Sequence, residues 1–262
     1  MPPIPDRKKG VFETMLVVDG HPVELDAHLE RISSSLRALF GSGAPPSAVQ
    51  LVSERARCIG LGRLRLTIAP DGDGALQGEV VTAQMAPAMV FPAPQRALAL
   101  RSHLLEGGLG AHKWADRRLL EAAEAATPAD SAPLLVDHDA VLEASRANVF
   151  AVRGGALLTP PADGRILPGI ARARAIEVAA QVGIEVREEA IGLAALAGAD
   201  EVFLTGSLRG VEPVCALDGA ILPAGELSGQ IAAGLRRHWL GASEPGAAPE
   251  PSTGPPPGRP AR

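Results

Sequence analysis

The pattern of apolar and polar positions predicts a β-hairpin followed by an amphipathic helix at the start of the chain. Residues 11–20 form an apolar run that ends in an Asp-Gly turn, and a short strand at 22–25 completes the hairpin. Asp26 is the predicted N-cap of a helix over 27–40, in which apolar residues recur at helical spacing. Gly41 is expected to end this helix.

The following segments are predicted to complete an antiparallel α+β unit. A helix over 48–59 precedes residues 62–69, which alternate polar and apolar side chains as a half-buried strand does. Further strands are expected at 76–84 and 96–101. Together these elements predict an N-terminal α+β domain of residues 1–105.

A second, larger α+β domain is predicted over residues 113–241, after a glycine-rich hinge at 106–112. Helices and short strands are expected in it, with helices at 116–126, 171–182, 193–197 and 226–240, and strands at 133–137, 140–142, 148–158, 184–189 and from 201 onward. Residues 242–262 are rich in Pro, Gly and Ala, and this composition predicts a disordered tail.

Composition narrows the class of protein. The net charge of -5 and the absence of a basic stripe argue against nucleic acid as the main partner. Apolar runs are shorter than the ~18 residues that span a bilayer, and the first residues lack the apolar core of a signal peptide, so the cytoplasm is the expected compartment. Cys58 and Cys215 are far apart and lack metal-ligand spacing, and both are expected to be small buried hydrophobic residues without a metal.

Lys113 is the one lysine in the body of the chain, since Lys8 and Lys9 lie side by side near its start. A lysine amine becomes a nucleophile, and can form a Schiff base with a carbonyl, when burial or a neighbouring cation lowers its pKa. Arg117 and Arg118 follow Lys113 closely. A reactive amine is therefore one hypothesis, and a solvated lysine at the start of a helix is the other.

Two glycine-containing segments are candidate anion sites. Residues 164–172 place free backbone amides at a predicted helix start, with Arg172 in the first turn, and such a terminus attracts phosphate. Residues 205–210 bring hydroxyls and glycines to the end of an apolar strand. An ordinary turn explains either segment when it is taken alone.

Three more polar side chains could contribute to a site. Glu143 ends an apolar strand and could bind a protonated ring nitrogen, although capping or an ion pair would explain it equally well. His28 and Arg31 share one face of the first helix. Arg31 would need an anionic partner if it flanks the core, and a surface arginine is the alternative.

Taken together and in their order along the chain, the motifs of this sequence resemble those of the fold-type IV pyridoxal-phosphate enzymes, the class IV aminotransferase family. The resemblance runs from about residue 11 to residue 240, and it implies a two-domain α+β fold, pyridoxal 5'-phosphate as cofactor, and a homodimer. Its carriers are Phe12-Glu13-Thr14-Met15, His28-Leu29-Glu30-Arg31, Lys113, Glu143, Asn148-Val149-Phe150, Leu167-Pro168-Gly169-Ile170 and Phe203-Leu204-Thr205-Gly206-Ser207.

The resemblance also implies a role for each matching residue. Lys113 is expected to form the Schiff base and to move the proton at the reacting carbon, and Glu143 is expected to bind the pyridine nitrogen. The implied phosphate site consists of Arg31, the amides of Ile170 and Ala171, and Ser207. Ala171 replaces the usual threonine, so that corner would rely on the backbone N–H. The expected contacts to the substrate carboxylate are the Leu208 amide and Arg209, with Thr14 as a further candidate.

The same fold serves several reactions, so the resemblance leaves two activities open. The sequences of residues 110–118 and 206–214 are most similar to those of 4-amino-4-deoxychorismate lyases of the actinobacterial type, including lyase modules fused to the synthase. This similarity suggests a functional link to aminodeoxychorismate synthase. The chain contains no tyrosine, which argues against branched-chain aminotransferases. The lyase is therefore the preferred interpretation. An aminotransferase acting on branched-chain or D-amino acids is the alternative, and intact Lys113 and Glu143 argue against a non-catalytic member.

Overall fold

The computed structural model describes residues 5–241, which form two β-sheets with helices packed against them. The first sheet is antiparallel, and its strands are β1 (Val11–Val18), β2 (His21–Pro22), β3 (Leu61–Pro70) and β4 (Leu76–Gln84). They lie in the order β2-β1-β3-β4. Helices α1 (Leu25–Phe40) and α2 (Pro46–Ala56) pack on this sheet around a core that includes Met15, Leu36 and Leu64.

The second sheet contains the remaining strands of the described chain. They are β5 (Leu98–Leu104), β6 (Ser131–Asp137), β7 (Ala140–Ala144), β8 (Ala147–Arg153), β9 (Ala156–Thr159), β10 (Val186–Glu188), β11 (Glu201–Gly206), β12 (Gly210–Leu217) and β13 (Ala220–Ile221). Their order is β10-β9-β8-β11-β12-β5-β6-β7, and β13 pairs with β12. Strand β7 also pairs with β8. The strands β8, β11, β12, β5, β6 and β7, in this order, therefore close into a ring.

Four helices accompany the second sheet in residues 5–241. They are α3 (Arg118–Ala125), α4 (Ile170–Gln181), α5 (Leu193–Ala197) and α6 (Leu227–Leu240). Strand β8 is apolar on both faces: Phe150 belongs to a core shared with α4 and α6, whereas Val149 belongs to a core shared by the ring strands. Phe150 stacks on Phe203 of β11 with ring centroids 5.1 Å apart. The two-domain α+β fold class implied by the resemblance is therefore confirmed at the level of its two sheets.

One strand was assigned to the wrong sheet. The strand predicted at 96–101 is β5, and it pairs in parallel with β6 and β12 in the second sheet rather than completing the first unit. The predicted boundary at residue 105 therefore does not follow the division between the sheets. Parallel neighbours are distant in sequence, so a strand's own pattern does not identify its partner.

The start of the first helix also differs from its prediction. Helix α1 begins at Leu25, and its N-cap is Glu24 in a left-handed conformation, so the prediction of Asp26 as N-cap is wrong. The Glu24 carboxylate makes no cap, because it accepts hydrogen bonds from Arg174 at 2.8 and 2.9 Å. A distant ion pair thus takes the place of a local cap.

Both cysteines are exposed, so the prediction that they are buried is wrong. Cys58 lies in the turn that follows α2. Cys215 lies at an irregularity in the pairing of β12 with β5, between Val214 and Ala216, and faces outward. The tail predicted to be disordered, residues 242–262, lies outside the described residues. None of the helices in residues 5–241 is both long enough and apolar enough to cross a membrane.

The segment that carries Lys113 is bound to the first strand of the chain. The Phe12 N–H donates to the Lys113 carbonyl at 2.9 Å, and the Ala115 N–H donates to the Gly10 carbonyl at 3.0 Å. Val11 and Trp114 form an isolated antiparallel bridge between these bonds. This contact fixes Lys113 beside the first sheet, at the start of the segment that leads into α3.

Candidate active site

A cavity of about 940 Å³ is lined by residues from both sheets. Its size is that of a pocket for a cofactor together with a small substrate. All nine residues predicted from the sequence to form the site line it: Thr14, Arg31, Lys113, Glu143, Ile170, Ala171, Ser207, Leu208 and Arg209. The structure thus brings together residues that are spread over almost 200 positions of the chain.

Lys113 is partly buried in this cavity, and its Nζ lies 5.0 Å from the centre of the Phe12 ring. Burial lowers the pKa of the Lys113 amine to about 8, and repulsion from Arg31 acts in the same direction, while Glu13 and Glu143 oppose the shift. A neutral amine is therefore available close to neutral pH. This is the state in which a lysine attacks a carbonyl.

The turn that follows Lys113 is held by a buried carboxylate. Asp116 accepts hydrogen bonds from the Asp6 N–H at 2.8 Å, from Lys9 Nζ at 3.2 Å and from Arg118 at 2.6 to 3.0 Å. The Arg118 guanidinium and these other donors hold the pKa of Asp116 well below its usual range. The carboxylate therefore orients the Lys113 segment and is itself saturated with donors.

Glu143 lies one residue before the end of β7 and lines the same cavity. The Leu167 N–H lies 3.3 Å from both of its oxygens, and no cation lies within 4.0 Å of it in the described part of the chain. Burial raises the pKa of Glu143 to about 7, although the Leu167 N–H, Lys113 and Arg31 oppose the shift. A buried acid without a cationic partner is suited to accept a hydrogen bond from a protonated ring nitrogen.

Arg31 is held by a buried acid that the sequence analysis did not assign to the site. Its Nε and Nη2 each lie 2.7 Å from an oxygen of Glu13, which gives a bidentate pair. His28 Nδ1 lies 2.6 Å from the same carboxylate. The side chain of Arg31 is 10% exposed, so the surface alternative is wrong and the anionic partner expected for an arginine beside the core is Glu13.

Burial alone would raise the pKa of Glu13, but Arg31 and His28 outweigh it and lower the pKa to about 2. Glu13 is 1% exposed and lies in a strand whose other residues, except Thr14, are apolar. An acid in such a strand is the signal that could have identified it.

The start of α4 provides backbone donors to the cavity. Its N-cap is Gly169, and no side chain caps it, so the first amides have no partner within the helix. A Cβ at Gly169 would lie 1.9 Å from Asn148 Oδ1, which explains why glycine occupies this position. Arg31 Nη1 donates to the Pro168 carbonyl at 2.9 Å and thereby places its guanidinium beside this terminus.

One arginine proposed for this terminus lies elsewhere. Arg172 is 5% exposed and does not line the cavity. It donates to the Pro160 carbonyl at 2.8 Å and to Glu188 at 2.7 Å. The Arg172 side chain therefore joins α4 to the sheet and does not reach an anion at the helix start.

The second glycine-containing segment, residues 205–210, links β11 to β12 and also lines the cavity; Thr205 pairs with Asn148, whose side chain lies against Gly169 at the start of α4. Thr205 Oγ1 is buried there without a hydrogen-bond partner among the described residues. Ser207 and Leu208 follow it in a turn, and Arg209 pairs with Glu212. Thr205 lines the cavity, so this unpaired hydroxyl is a hydrogen-bonding group that a bound ligand can satisfy.

These groups fit pyridoxal 5'-phosphate. An amine of lowered pKa matches its aldehyde, a partnerless carboxyl group matches its pyridine nitrogen, and uncapped amides beside Arg31 match its phosphate. No group of three or more metal-ligating side chains occurs in residues 5–241. Fold and site together define a fold-type IV pyridoxal-phosphate enzyme.

Comparisons with known proteins agree with this class. The family model described as amino-transferase class IV matches residues 10–217, and the chain belongs to this family, which uses pyridoxal 5'-phosphate. Over 93 residues the chain is 43% identical to a putative branched-chain-amino-acid aminotransferase of Methanocaldococcus jannaschii. That match covers 36% of this chain and only 32% of the archaeal relative.

Solved structures cover nearly the whole described chain. The pyridoxal-phosphate-bound form of a hypothetical aminotransferase from Mycobacterium tuberculosis is 25% identical, with a TM-score of 0.78, and the match covers 92% of this chain and 94% of that one. The 4-amino-4-deoxychorismate lyase from Pseudomonas aeruginosa is 26% identical, with a TM-score of 0.75, and the match covers 87% and 90%. The relatives thus divide between two activities within one family.

Proposed function

We propose that this protein is a pyridoxal-phosphate-dependent lyase that converts 4-amino-4-deoxychorismate to 4-aminobenzoate and pyruvate. The observation that carries the proposal is that the amine of Lys113, the carboxyl of Glu143 without a cationic partner and the 205–210 segment line the same cavity. The match to the lyase of Pseudomonas aeruginosa over 87% of the chain supports the reaction. The absence of tyrosine from all 262 residues supports it further, because it argues against the branched-chain aminotransferases, whose substrate pockets rely on tyrosines.

In this proposal each residue has a distinct task. Bound pyridoxal 5'-phosphate supplies an electron sink for the carbon that carries the substrate amine. Lys113 Nζ removes the proton from that carbon, and its lowered pKa makes the neutral amine available for the removal. Glu143 holds the pyridine nitrogen protonated. The bond between the ring carbon and the oxygen of the enolpyruvyl group then breaks, and the ring becomes aromatic. The enolpyruvate that leaves takes up the proton that Lys113 removed and becomes pyruvate.

The other predicted residues bind and orient. Arg31, the amides of Ile170 and Ala171, and Ser207 hold the phosphate. The Leu208 amide and Arg209 bind a substrate carboxylate, and Thr14 is a further candidate contact. We further propose a homodimer in the cytoplasm, functionally linked to aminodeoxychorismate synthase, because the lyase consumes the product of that enzyme.

The second candidate is an aminotransferase for branched-chain or D-amino acids. It is favoured by the 43% identity to the archaeal protein, although that identity extends over 93 residues only. In this reaction Lys113 would return the proton to the cofactor rather than assist the loss of a leaving group, so the same residues would serve both activities.

One assay separates the two reactions. Purified protein is mixed with pyridoxal 5'-phosphate and 4-amino-4-deoxychorismate without any keto acid, and 4-aminobenzoate and pyruvate are measured. The proposal predicts equal amounts of both products, and none with Lys113→Ala. Turnover that requires an amino donor and a keto acid would instead establish the aminotransferase.

A further inference from the structure

The phosphate site proposed above is built from two helices that pack on different sheets. Arg31 lies on α1, which packs on the first sheet, whereas the amides of Ile170 and Ala171 begin α4, whose apolar side packs with β8 and α6. The attraction between an anion and such donors weakens quickly as their distance and angle change. The affinity of the site therefore depends on how α1 and α4 are placed relative to each other.

One contact joins the two helices at the site itself. Arg31 Nη1 donates to the Pro168 carbonyl, just before α4, at 2.9 Å. A single hydrogen bond leaves its partners free to turn about the bond, because its angle is only loosely restrained. A second contact at a different point fixes the angle between the helices as well as their distance.

The second contact lies at the start of α1. The Glu24 carboxylate accepts hydrogen bonds from Arg174 Nε at 2.8 Å and from Arg174 Nη2 at 2.9 Å, so the pair is bidentate across the two helices. His238 Nε2, from α6, lies 2.9 Å from the same carboxylate. Burial acts to raise the pKa of Glu24, but Arg174 and His238 outweigh burial and lower it. Glu24 is therefore an ionised carboxylate bound by side chains from α4 and α6.

The backbone of Glu24 shows that this contact is held against a local preference. Its φ of 55° and ψ of 36° lie in the left-handed region, which residues other than glycine rarely adopt. Such a conformation persists where surrounding contacts fix it. The side chain forms no cap to α1, although Glu24 directly precedes that helix. Glu24 thus binds α4 instead of capping its own helix.

The two contacts lie far enough apart to fix an angle. Arg31 follows Glu24 by seven residues, which corresponds to about 10 Å along a helix. On the other side, Pro168 lies just before α4 and Arg174 lies in its second turn. Helix α1 and the start of α4 are therefore attached at two separated points, and of these four residues only Arg31 lines the cavity.

We infer that Glu24 and Arg174 are positioning residues for the cofactor phosphate, because their ion pair sets the placement of Arg31 against the first amides of α4. This inference rests on the proposed phosphate site and is independent of the proposed reaction. Both residues act through the angle between α1 and α4, without touching the phosphate. Loss of the pair leaves the phosphate donors present but misaligned, so the phosphate is bound less tightly.

The test compares the binding of pyridoxal 5'-phosphate and of pyridoxal to the full-length protein after removal of its cofactor, by absorbance titration. Both compounds form the same Schiff base with an amine, so the ratio of their dissociation constants isolates the contribution of the phosphate. We expect wild type to prefer the phosphorylated form. Glu24→Gln should reduce this preference about tenfold, as removal of the partners that orient metal ligands does. Arg174→Gln breaks the same pair from the side of α4 and should give the same loss.

The chain offers a matched control for Glu24→Gln. Glu177 also accepts a hydrogen bond from Arg174, but both residues belong to α4, so this pair does not join two helices. Glu177→Gln should therefore leave the preference for the phosphorylated form unchanged. Equal losses of preference in Glu24→Gln and Glu177→Gln would overturn the inference.

Further outcomes separate this inference from its alternatives. A preference that is unchanged in both Glu24→Gln and Arg174→Gln would overturn the inference alone, and a loss of stability in urea without a change in preference would identify a purely structural pair and overturn it too. A wild type that binds pyridoxal as tightly as pyridoxal 5'-phosphate would contradict the proposed phosphate site and, with it, the inference. Since no turnover is measured, a failed lyase assay alongside a preference that depends on Glu24 would contradict the proposed reaction alone.

Discussion

Glu13 and Glu143 are both buried near Lys113, and their pKa values are shifted in opposite directions. The pKa of Glu13 is lowered to about 2, because Arg31 and His28 outweigh the effect of burial. The pKa of Glu143 is raised to about 7, because burial is opposed only by the Leu167 N–H and by more distant cations. The comparison shows that an acid paired with cationic side chains, such as Glu13, orients its neighbours. An acid without a cationic partner, such as Glu143, is free to bind a ligand.

The largest change in stability is expected when Glu13, the acid with a full set of hydrogen-bond donors, is replaced. Glu13→Gln leaves Arg31 buried without an acid, which should cost about 3 to 5 kcal/mol of unfolding free energy. Urea denaturation of the wild type and the variant measures the loss. The control is Glu30→Gln, which breaks the exposed Glu30–Arg37 pair of equal length, 2.7 Å, and should cost less than about 1 kcal/mol. Equal losses in the two variants would contradict a special role for burial.

Acid should remove the contribution of Glu13 in wild type as well. The folded pKa of Glu13 lies below the ordinary value of 4.5, so its stabilisation is present above pH 4.5 and is lost as the pH falls towards about 2. The Glu13→Gln variant should lack this part of the acid dependence.

The contribution of Glu143 to stability should depend on pH in the opposite direction to that of Glu13. The folded pKa of Glu143 lies above its ordinary value, so its contribution to the stability of the cofactor-free protein is present below pH 4.5 and is lost as the pH rises through about 7. Glu143→Gln should therefore stabilise the cofactor-free protein at pH 8 by up to about 3 kcal/mol and leave it unchanged at pH 4.5. Denaturant titrations at the two pH values measure the difference.

The same substitution should damage catalysis although it stabilises the protein. Loss of the charged partner of the ring nitrogen should lower kcat on the order of 100-fold or more. A Glu143→Gln variant with full activity would show that the carboxylate has no contact to the cofactor.

A smaller effect is expected at Lys113, which both acids influence. Its acetylation in the cofactor-free protein should follow a titration with a midpoint near pH 8, measured by mass spectrometry of the Lys113 peptide with the exposed Lys8 as internal comparison. Because Glu143 raises the pKa of Lys113, Glu143→Gln should move the midpoint to lower pH. A midpoint near the ordinary lysine value of 10.5 would contradict the burial of this amine.

The sequence pointed to residues that line the cavity through the chemistry of each residue itself. Lys113 was visible as the one lysine in the body of the chain, and Glu143 as an acid that ends an apolar strand. The order of these residues along the chain carried the family resemblance, and the family model confirms it. Helix positions were predicted to within a few residues because amphipathic spacing is a local property.

The features that the sequence did not reveal depend on contacts between distant residues. The pairing of Arg31 with Glu13 requires the packing of α1 on β1, and the pairing of Glu24 with Arg174 joins residues 150 positions apart. The sheet to which β5 belongs is likewise decided by β6 and β12. The exposure of Cys215 follows from an irregularity in the pairing of two strands that lie far apart in sequence. Local sequence patterns do not identify such distant partners.

We propose that Lys113, in the cavity between the two sheets, is the residue that holds pyridoxal 5'-phosphate. Reduction of the cofactor-loaded protein with borohydride, followed by digestion and mass spectrometry, tests it directly. We predict that the reduced cofactor is found on the peptide that contains Lys113 and on no peptide that contains Lys8 or Lys9. Cofactor attached at Lys8 or Lys9, or no attached cofactor at all, would contradict the account.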